Sequence, residues 1–113
     1  MNIPSASFTR MQDGTKEDWM KIAAAHKLDF TKTADRFIAM LQQLDGVTLG
    51  FACDQLHHAL MTATLARRAG ATDEQIVVAL CHDIAKTINV PNHGAIAAEM
   101  FRPYVSDDCY YVL

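Results

Sequence analysis

Four side chains that could bind a metal ion lie in the second half of the sequence, in three separate segments. His58 lies in the segment DQLHHALMTATLARRAG, His82 and Asp83 are adjacent after an apolar run, and His93 follows a short Pro-containing stretch. Imidazole together with carboxylate suits zinc, iron, manganese or nickel. The residue types therefore predict a transition-metal site if the fold brings these segments together.

The apolar run before the His-Asp pair gives the strongest single signal. Every residue from Ile76 to Cys81 is apolar, which predicts a helix over 73–86 that is buried on most of its sides. An ionisable pair buried at its end costs several kcal/mol unless it is coordinated or paired. Neighbouring helix positions point about 100° apart, so His82 and Asp83 could flank one cation. The alternative is a His that complements the helix dipole beside a solvent-exposed Asp.

Of the two neighbouring histidines His57 and His58, the helical wheel predicts that His58 faces inward, in the same direction as Leu65 and Ala69 on the packed face. Thr64 and Arg68 lie on the same side as His57, which marks that side as the polar one. A core histidine with a satisfied hydrogen bond is the alternative for His58. Asp54 lies one turn before it.

The remaining candidates have two interpretations each. His93 begins a helix and could turn back toward the end of the preceding one, or lie exposed in a first turn. Lys86 is either a complement to a helix C-terminus or a cation that faces phosphate, and Arg68 is a further candidate for phosphate binding. His26, next to Lys27, is expected on the solvated surface.

Hydrophobic residues recur at helical spacing through nearly the whole chain, which predicts an all-α, single-domain bundle of five to six helices. Residues 1–14 are expected to be irregular. The stretch 47–53 is expected to be a buried connector and not a β-strand, because no second strand is available to pair with it. The last helix is expected to continue beyond Leu113. Thr15 with Asp18 and Thr72 with Gln75 are predicted capping boxes, and Thr31, Asp54 and Ser106 are predicted to begin helices as caps. The predicted helices run from Thr15 to about Leu28, from Thr31 to Asp45-Gly46, from Asp54 to Gly70, over 73–86, over 93–102 and from Ser106 onward.

Composition excludes several classes of protein and partner. The 113 residues are 50% hydrophobic with a net charge of −3, which fits one globular domain and argues against binding to nucleic acid or to an anionic membrane. No apolar window reaches the length of a membrane span and the N-terminus lacks a signal pattern. Three cysteines without a CxxC pair suggest a reducing, cytoplasmic setting, with Cys53 and Cys81 packed as small hydrophobic residues. The apolar stretch 47–53 and the C-terminal turn could support a homodimer.

Taken in order, His58, then His82-Asp83, then His93 resemble the H…HD…H pattern of the HD superfamily of metal-dependent phosphohydrolases, which are all-helical. The string LCHDIAK resembles the HDIGK-type core of that superfamily, with Ala85 where glycine is frequent. The segments DQLHHALMTATLARRAGA, ALCHDI and NHGAIAAEMFRPYVSDD are similar, in the same order, to small bacterial HD-domain proteins. The resemblance covers about residues 50–113, which thus carry the HD motifs of a domain expected to span 1–113.

The resemblance implies that His58, His82, Asp83 and His93 match metal-ligand positions for one or two divalent ions of iron, manganese, nickel or zinc. In dinuclear members Asp83 would be the bridging ligand. It implies hydrolysis of a phosphate ester in a nucleotide or another small phosphorylated metabolite. Asp83 and Lys86 are the expected catalytic residues, with Lys86 neutralising phosphate charge. Relatives place further ligands beyond the segment that matches SDDCYYVL, so the resemblance also implies a longer chain with a more complete site.

Two other functions remain open at this point. Some HD-fold relatives are mixed-valent di-iron oxygenases that cleave C–C or C–P bonds in inositol or aminophosphonates. The aminophosphonate enzymes carry a Tyr and a Glu shortly before the first histidine, where this chain has Thr48 and Phe51. The third interpretation is a catalytically incomplete helical module that binds metal only structurally or not at all.

Overall fold

The computed structural model describes residues 4–113, and these residues form six α-helices and three short 3₁₀-helices without a β-strand. This confirms the predicted all-α class. No helix in this part of the chain is both long and apolar enough to cross a membrane. The α-helices are α1 (Lys16–Phe30), α2 (Thr33–Gln42), α3 (Gln55–Arg68), α4 (Asp73–Cys81), α5 (His93–Phe101) and α6 (Asp107–Val112), and the 3₁₀-helices are Met11–Asp13, Ile84–Thr87 and Val90–Asn92.

The chain divides into two compact units, with the boundary between Arg36 and Phe37 inside α2. The expectation that residues 1–14 are irregular holds for 4–10, while Met11–Asp13 forms one 3₁₀ turn. Residues 1–3 lie outside the described residues. Every candidate metal ligand belongs to the second unit, Phe37–Leu113.

In the first unit, α1 begins with the predicted capping box. The backbone N–H of Asp18 donates to Thr15 Oγ1 at 3.2 Å, and Thr15 N–H donates back to the Asp18 carboxylate at 3.0 Å. The prediction that Thr31 caps the second helix is wrong. Its hydroxyl donates to the Leu28 carbonyl at 2.7 Å, so Thr31 closes α1, and α2 begins at Thr33.

In the second unit, side-chain caps fix where the helices that carry the site begin. Asp54 accepts the His57 N–H at 2.7 Å and starts α3, and a capping box between Thr72 and Gln75 starts α4. Ser106 accepts the Cys109 N–H at 3.4 Å and starts α6. Each of these starts agrees with the predicted one, because a cap depends on residues only a few positions apart.

The core of the second unit lies behind the segment that carries His82 and Asp83. Ile84 and Ala85, which directly follow Asp83, are fully buried. The ring of Phe101 in α5 packs against the ring of Phe37 in α2, with 4.9 Å between the ring centres. The buried cluster consists of Leu41, Leu44, Cys81, Ile84, Ala85, Ala97 and Phe101.

Two further predictions about local structure are wrong. Helix α4 ends at Cys81 instead of continuing to residue 86. The His82 ring lies 2.7 Å from the Ala79 carbonyl, which in a continuing helix would accept the N–H of residue 83. The connector 47–53 lacks strand structure, as expected, but it is not buried, since Leu49 and Phe51 are 48% and 62% exposed.

Candidate metal centre

His58, His82 and Asp83 converge on one point, although His58 belongs to α3 and the other two residues follow the end of α4. The Nε2 atom of His58 lies 3.4 Å from Asp83 Oδ2, and the Nε2 atom of His82 lies 3.1 Å from the same oxygen. The two Nε2 atoms are 3.2 Å apart. These three ligand atoms form a group compact enough to hold one metal ion.

The orientation of the His82 ring determines which of its nitrogens is available. Its Nδ1 atom lies 2.7 Å from the Ala79 carbonyl oxygen, and a carbonyl can only accept, so Nδ1 carries the proton. In the neutral ring Nε2 then presents a lone pair to the Asp83 carboxylate, which is also an acceptor. Two acceptors 3.1 Å apart need a cation or a proton between them, and this is the situation that a bound metal ion resolves.

His93 approaches the other oxygen of the same carboxylate. Its Nε2 atom lies 3.2 Å from Asp83 Oδ1, and its Nδ1 atom lies 2.7 Å from the Val90 carbonyl oxygen. The ring therefore turns back toward the end of α4, and its neutral form again directs a lone pair at Asp83. His93 does not join the compact group around Oδ2, because it addresses Oδ1 from the N-terminus of α5.

Lys86 brings a partly buried positive charge to the same carboxylate. Its Nζ atom lies 3.4 Å from Asp83 Oδ2, and the side chains of both residues are only about one tenth exposed (11% and 10%). The ammonium also donates to Gln55 Oε1 at 2.9 Å and lies 5.3 Å from the centre of the Phe51 ring. Lys86 thus faces the candidate site and does not extend into solvent from a helix end.

A cavity of about 150 Å³ adjoins the candidate metal ligands and Lys86 on the side of α3 and the connector 47–53. Three kinds of wall meet in it: an exposed aromatic ring, a half-buried thiol, and the polar groups of the cluster. The lining residues are Phe51, Cys53, Gln55, His58, Asp83 and Lys86.

Two groups close to the site have pKa values displaced by their surroundings. Burial raises the pKa of the Cys81 thiol to about 11, so this residue directly before His82 stays a protonated packing group. The backbone N–H groups of His57 and Gly46 lower the pKa of the Asp54 carboxyl. Asp54 therefore serves as the N-cap of α3 and lies outside the group of ligands.

Other sequence candidates lie away from the cluster. The side chains of His57, His26 and Arg68 are exposed, which agrees with the expectation for the two histidines and leaves Arg68 outside the set of residues lining the cavity. The wheel that chose His58 also placed Leu65 on the packed face, but Leu65 is 61% exposed. Cys53, expected to pack in the interior, is only half-buried at the cavity.

Sequence reasoning missed Gln55 and Phe51 as members of this site. Gln55 is only 2% exposed even though it occupies the first turn of a capped helix, where polar residues usually face solvent. Phe51 belongs to the connector 47–53, which was expected to be buried. A signal for Gln55 existed in its position one turn before His58, on the same side of α3.

Comparison of the chain with protein-family models, with curated proteins and with solved structures gave no match.

Proposed function

We propose that this protein is a metal-dependent phosphohydrolase of the HD type, acting on a small phosphorylated metabolite or nucleotide. The observation that carries the proposal is the convergence of His58 Nε2, His82 Nε2 and Asp83 Oδ2, with the Lys86 ammonium 3.4 Å from the same carboxylate oxygen. A metal-ligand group and an adjacent buried cation together suit a phosphoryl substrate, whose oxygens need both.

The donor set fits a divalent transition metal. Two imidazole nitrogens and one carboxylate oxygen leave coordination positions open, as catalytic sites require. The hydrogen bond from His82 Nδ1 to the Ala79 carbonyl fixes the ring so that Nε2 points at the site. When bound, an ion of iron, manganese, nickel or zinc lowers the pKa of a water and polarises a phosphoryl oxygen.

The residues of the chain then have distinct tasks. His58, His82 and Asp83 hold the ion, and Lys86 offsets the negative charge of the phosphoryl group. The two histidine side chains are accessible from solvent, since His58 and His82 are 45% and 32% exposed, whereas the Asp83 side chain is only 10% exposed. The exposed edge of the site is therefore the side from which a phosphate ester enters.

The assignment to the HD superfamily is part of this proposal. It is supported by the order of the residues along the chain and by the division of the Asp83 carboxylate, with Oδ2 toward His58 and His82 and Oδ1 toward His93. This division suits a carboxylate with one or two ions, as the superfamily pattern implies. We propose that the HD motif residues, and not the first unit of the chain, determine the activity.

The neighbouring pair His57 and His58 provides a matched test. His58→Ala should lower bound metal, measured by elemental analysis after loading with manganese or zinc, and should reduce hydrolysis of p-nitrophenyl phosphate by about 100-fold or more. His57→Ala, which removes an exposed imidazole from the same helix, should change neither. Equal metal content and turnover in the two variants would contradict the proposal. A mixed-valent di-iron EPR signal without phosphatase activity would instead favour an oxygenase.

A further inference from the structure

We propose that Gln55 is a positioning residue that holds the Lys86 ammonium in place for phosphoryl binding. The inference deepens the proposed function and rests on it for the identity of the substrate. It starts from two polar side chains that meet across the site, the buried Gln55 at 2% exposure and the partly buried Lys86 with its side chain at 11%.

The amide of Gln55 has one orientation that satisfies both of its neighbours. Its Oε1 atom accepts from Lys86 Nζ at 2.9 Å, and its Nε2 atom donates to the Thr48 carbonyl at 3.3 Å. Because an ammonium only donates and a carbonyl only accepts, the reversed amide would place like groups against each other on both sides. The Gln55 side chain is thus held at both ends, between the connector 47–53 and the 3₁₀-helix that carries Lys86.

This arrangement leaves part of the ammonium free to contact a ligand. An ammonium has three N–H donors, of which one is directed to Gln55 Oε1, and a second faces Asp83 Oδ2 at 3.4 Å. Lys86 and Gln55 both line the cavity of about 150 Å³. The third donor is therefore available to a phosphoryl oxygen there.

Gln55 also keeps the ammonium from collapsing fully onto Asp83. A flexible lysine beside a buried carboxylate gains most from a short, direct ion pair. In such a pair the ammonium would be neutralised by the carboxylate and would no longer be available to a ligand. The neutral amide competes for Nζ without adding a second negative charge to the site. Loss of the amide should therefore weaken phosphoryl binding more than it disturbs metal binding.

The test is a double-mutant cycle between Gln55→Leu and Lys86→Met, two substitutions that keep approximate side-chain volume. With p-nitrophenyl phosphate as substrate, Gln55→Leu should raise KM about 10-fold with unchanged metal content, as expected when one charge-assisted contact is lost. In the Lys86→Met background the same substitution should change KM less than about 2-fold, because its effect passes through the lysine. Gln43→Leu, at an exposed position after α2, is the matched surface control.

A measurement on the metal-free protein separates this inference from the proposed function. Thermal unfolding of the four members of the cycle should be non-additive, with Gln55→Leu lowering Tm less once Lys86 is Met. Additive Tm changes, or a KM effect that persists in the Lys86→Met background, would overturn the positioning role even if the wild-type protein is an active phosphatase. A wild-type protein that hydrolyses no phosphate ester would overturn the proposed function and the phosphoryl part of this inference, while the unfolding cycle would still report the contact.

Discussion

His82 and His93 are oriented by the same local device. In each, Nδ1 lies 2.7 Å from the carbonyl oxygen three residues earlier in the chain, Ala79 in one case and Val90 in the other. This contact fixes the tautomer and aims Nε2 at the Asp83 carboxylate. Two imidazoles from different segments thus present lone pairs to opposite oxygens of one side chain, an arrangement that a cation could occupy.

The two oxygens of Asp83 lead to different expectations for the two histidines. His93→Ala should leave the ion at His58, His82 and Asp83 bound, with metal affinity reduced about 10-fold, because the group lost mainly orients the carboxylate. Isothermal titration with manganese or zinc would measure the affinity and the number of ions. A fall from two bound ions to one would contradict this expectation and would show that His93 itself holds a second ion.

Among the helices, α4 positions His82 and Asp83, because it ends at the residue directly before them. A capping box starts it at Thr72, and the His82 contact with the Ala79 carbonyl accompanies its end at Cys81. Asp83 directly precedes the 3₁₀-helix Ile84–Thr87, and Lys86, three residues later, lies on the same side of this turn, with its Nζ atom 3.4 Å from Asp83 Oδ2.

The buried thiol at the end of α4 should make the free energy of unfolding fall as the pH rises through the alkaline range. Burial raises the pKa of Cys81 from its usual value near 9 to about 11, so the folded state keeps a proton that the unfolded chain releases. The stabilisation is full below about pH 9 and is lost as the pH rises through about 11. Over that range the wild-type free energy of unfolding should fall by about 2 kcal/mol more than that of Cys81→Ala.

Urea unfolding of both proteins at a series of pH values from neutral to alkaline would measure this difference. Cys81→Ala is expected to be less stable at every pH because it leaves a small cavity, so the slope with pH carries the information and not the absolute value. Parallel curves for the two proteins would contradict the expectation.

At the scale of the whole molecule, the candidate site and the main core are two sides of one segment. Asp83 belongs to the candidate metal site, and the next two residues, Ile84 and Ala85, are fully buried in the hydrophobic core with Leu44 and Phe101. The unit Phe37–Leu113 contains both. Packing behind the site therefore holds its central carboxylate in place.

Ile84 and Ile88 provide a matched comparison of this packing. Ile84 is fully buried and Ile88 is 58% exposed. Ile84→Ala should lower the free energy of unfolding by about 2–4 kcal/mol, whereas Ile88→Ala should cost less than about 1 kcal/mol. Chemical denaturation of the two variants measures both values, and similar costs would show that the segment does not anchor the core as described.

The sequence by itself determined the helical class, the caps at Thr15, Asp54, Thr72 and Ser106, and the residues that could bind a metal. Those features depend on side-chain type and on spacing over a few positions, and such local rules operate without knowledge of the fold. The choice of His58 over His57 also came from spacing, although the exposure of Leu65 shows that the wheel predicted the packed face only in part.

Only the tertiary structure decided which of these groups meet. The exposure of the connector 47–53 and the burial of Gln55 against Lys86 both depend on how residues distant in sequence pack. His58 reaches His82 across 24 positions, and Lys86 reaches Gln55 across 31. Whether such side chains converge is set by how the helices pack, because packing fixes the distances that local spacing leaves open.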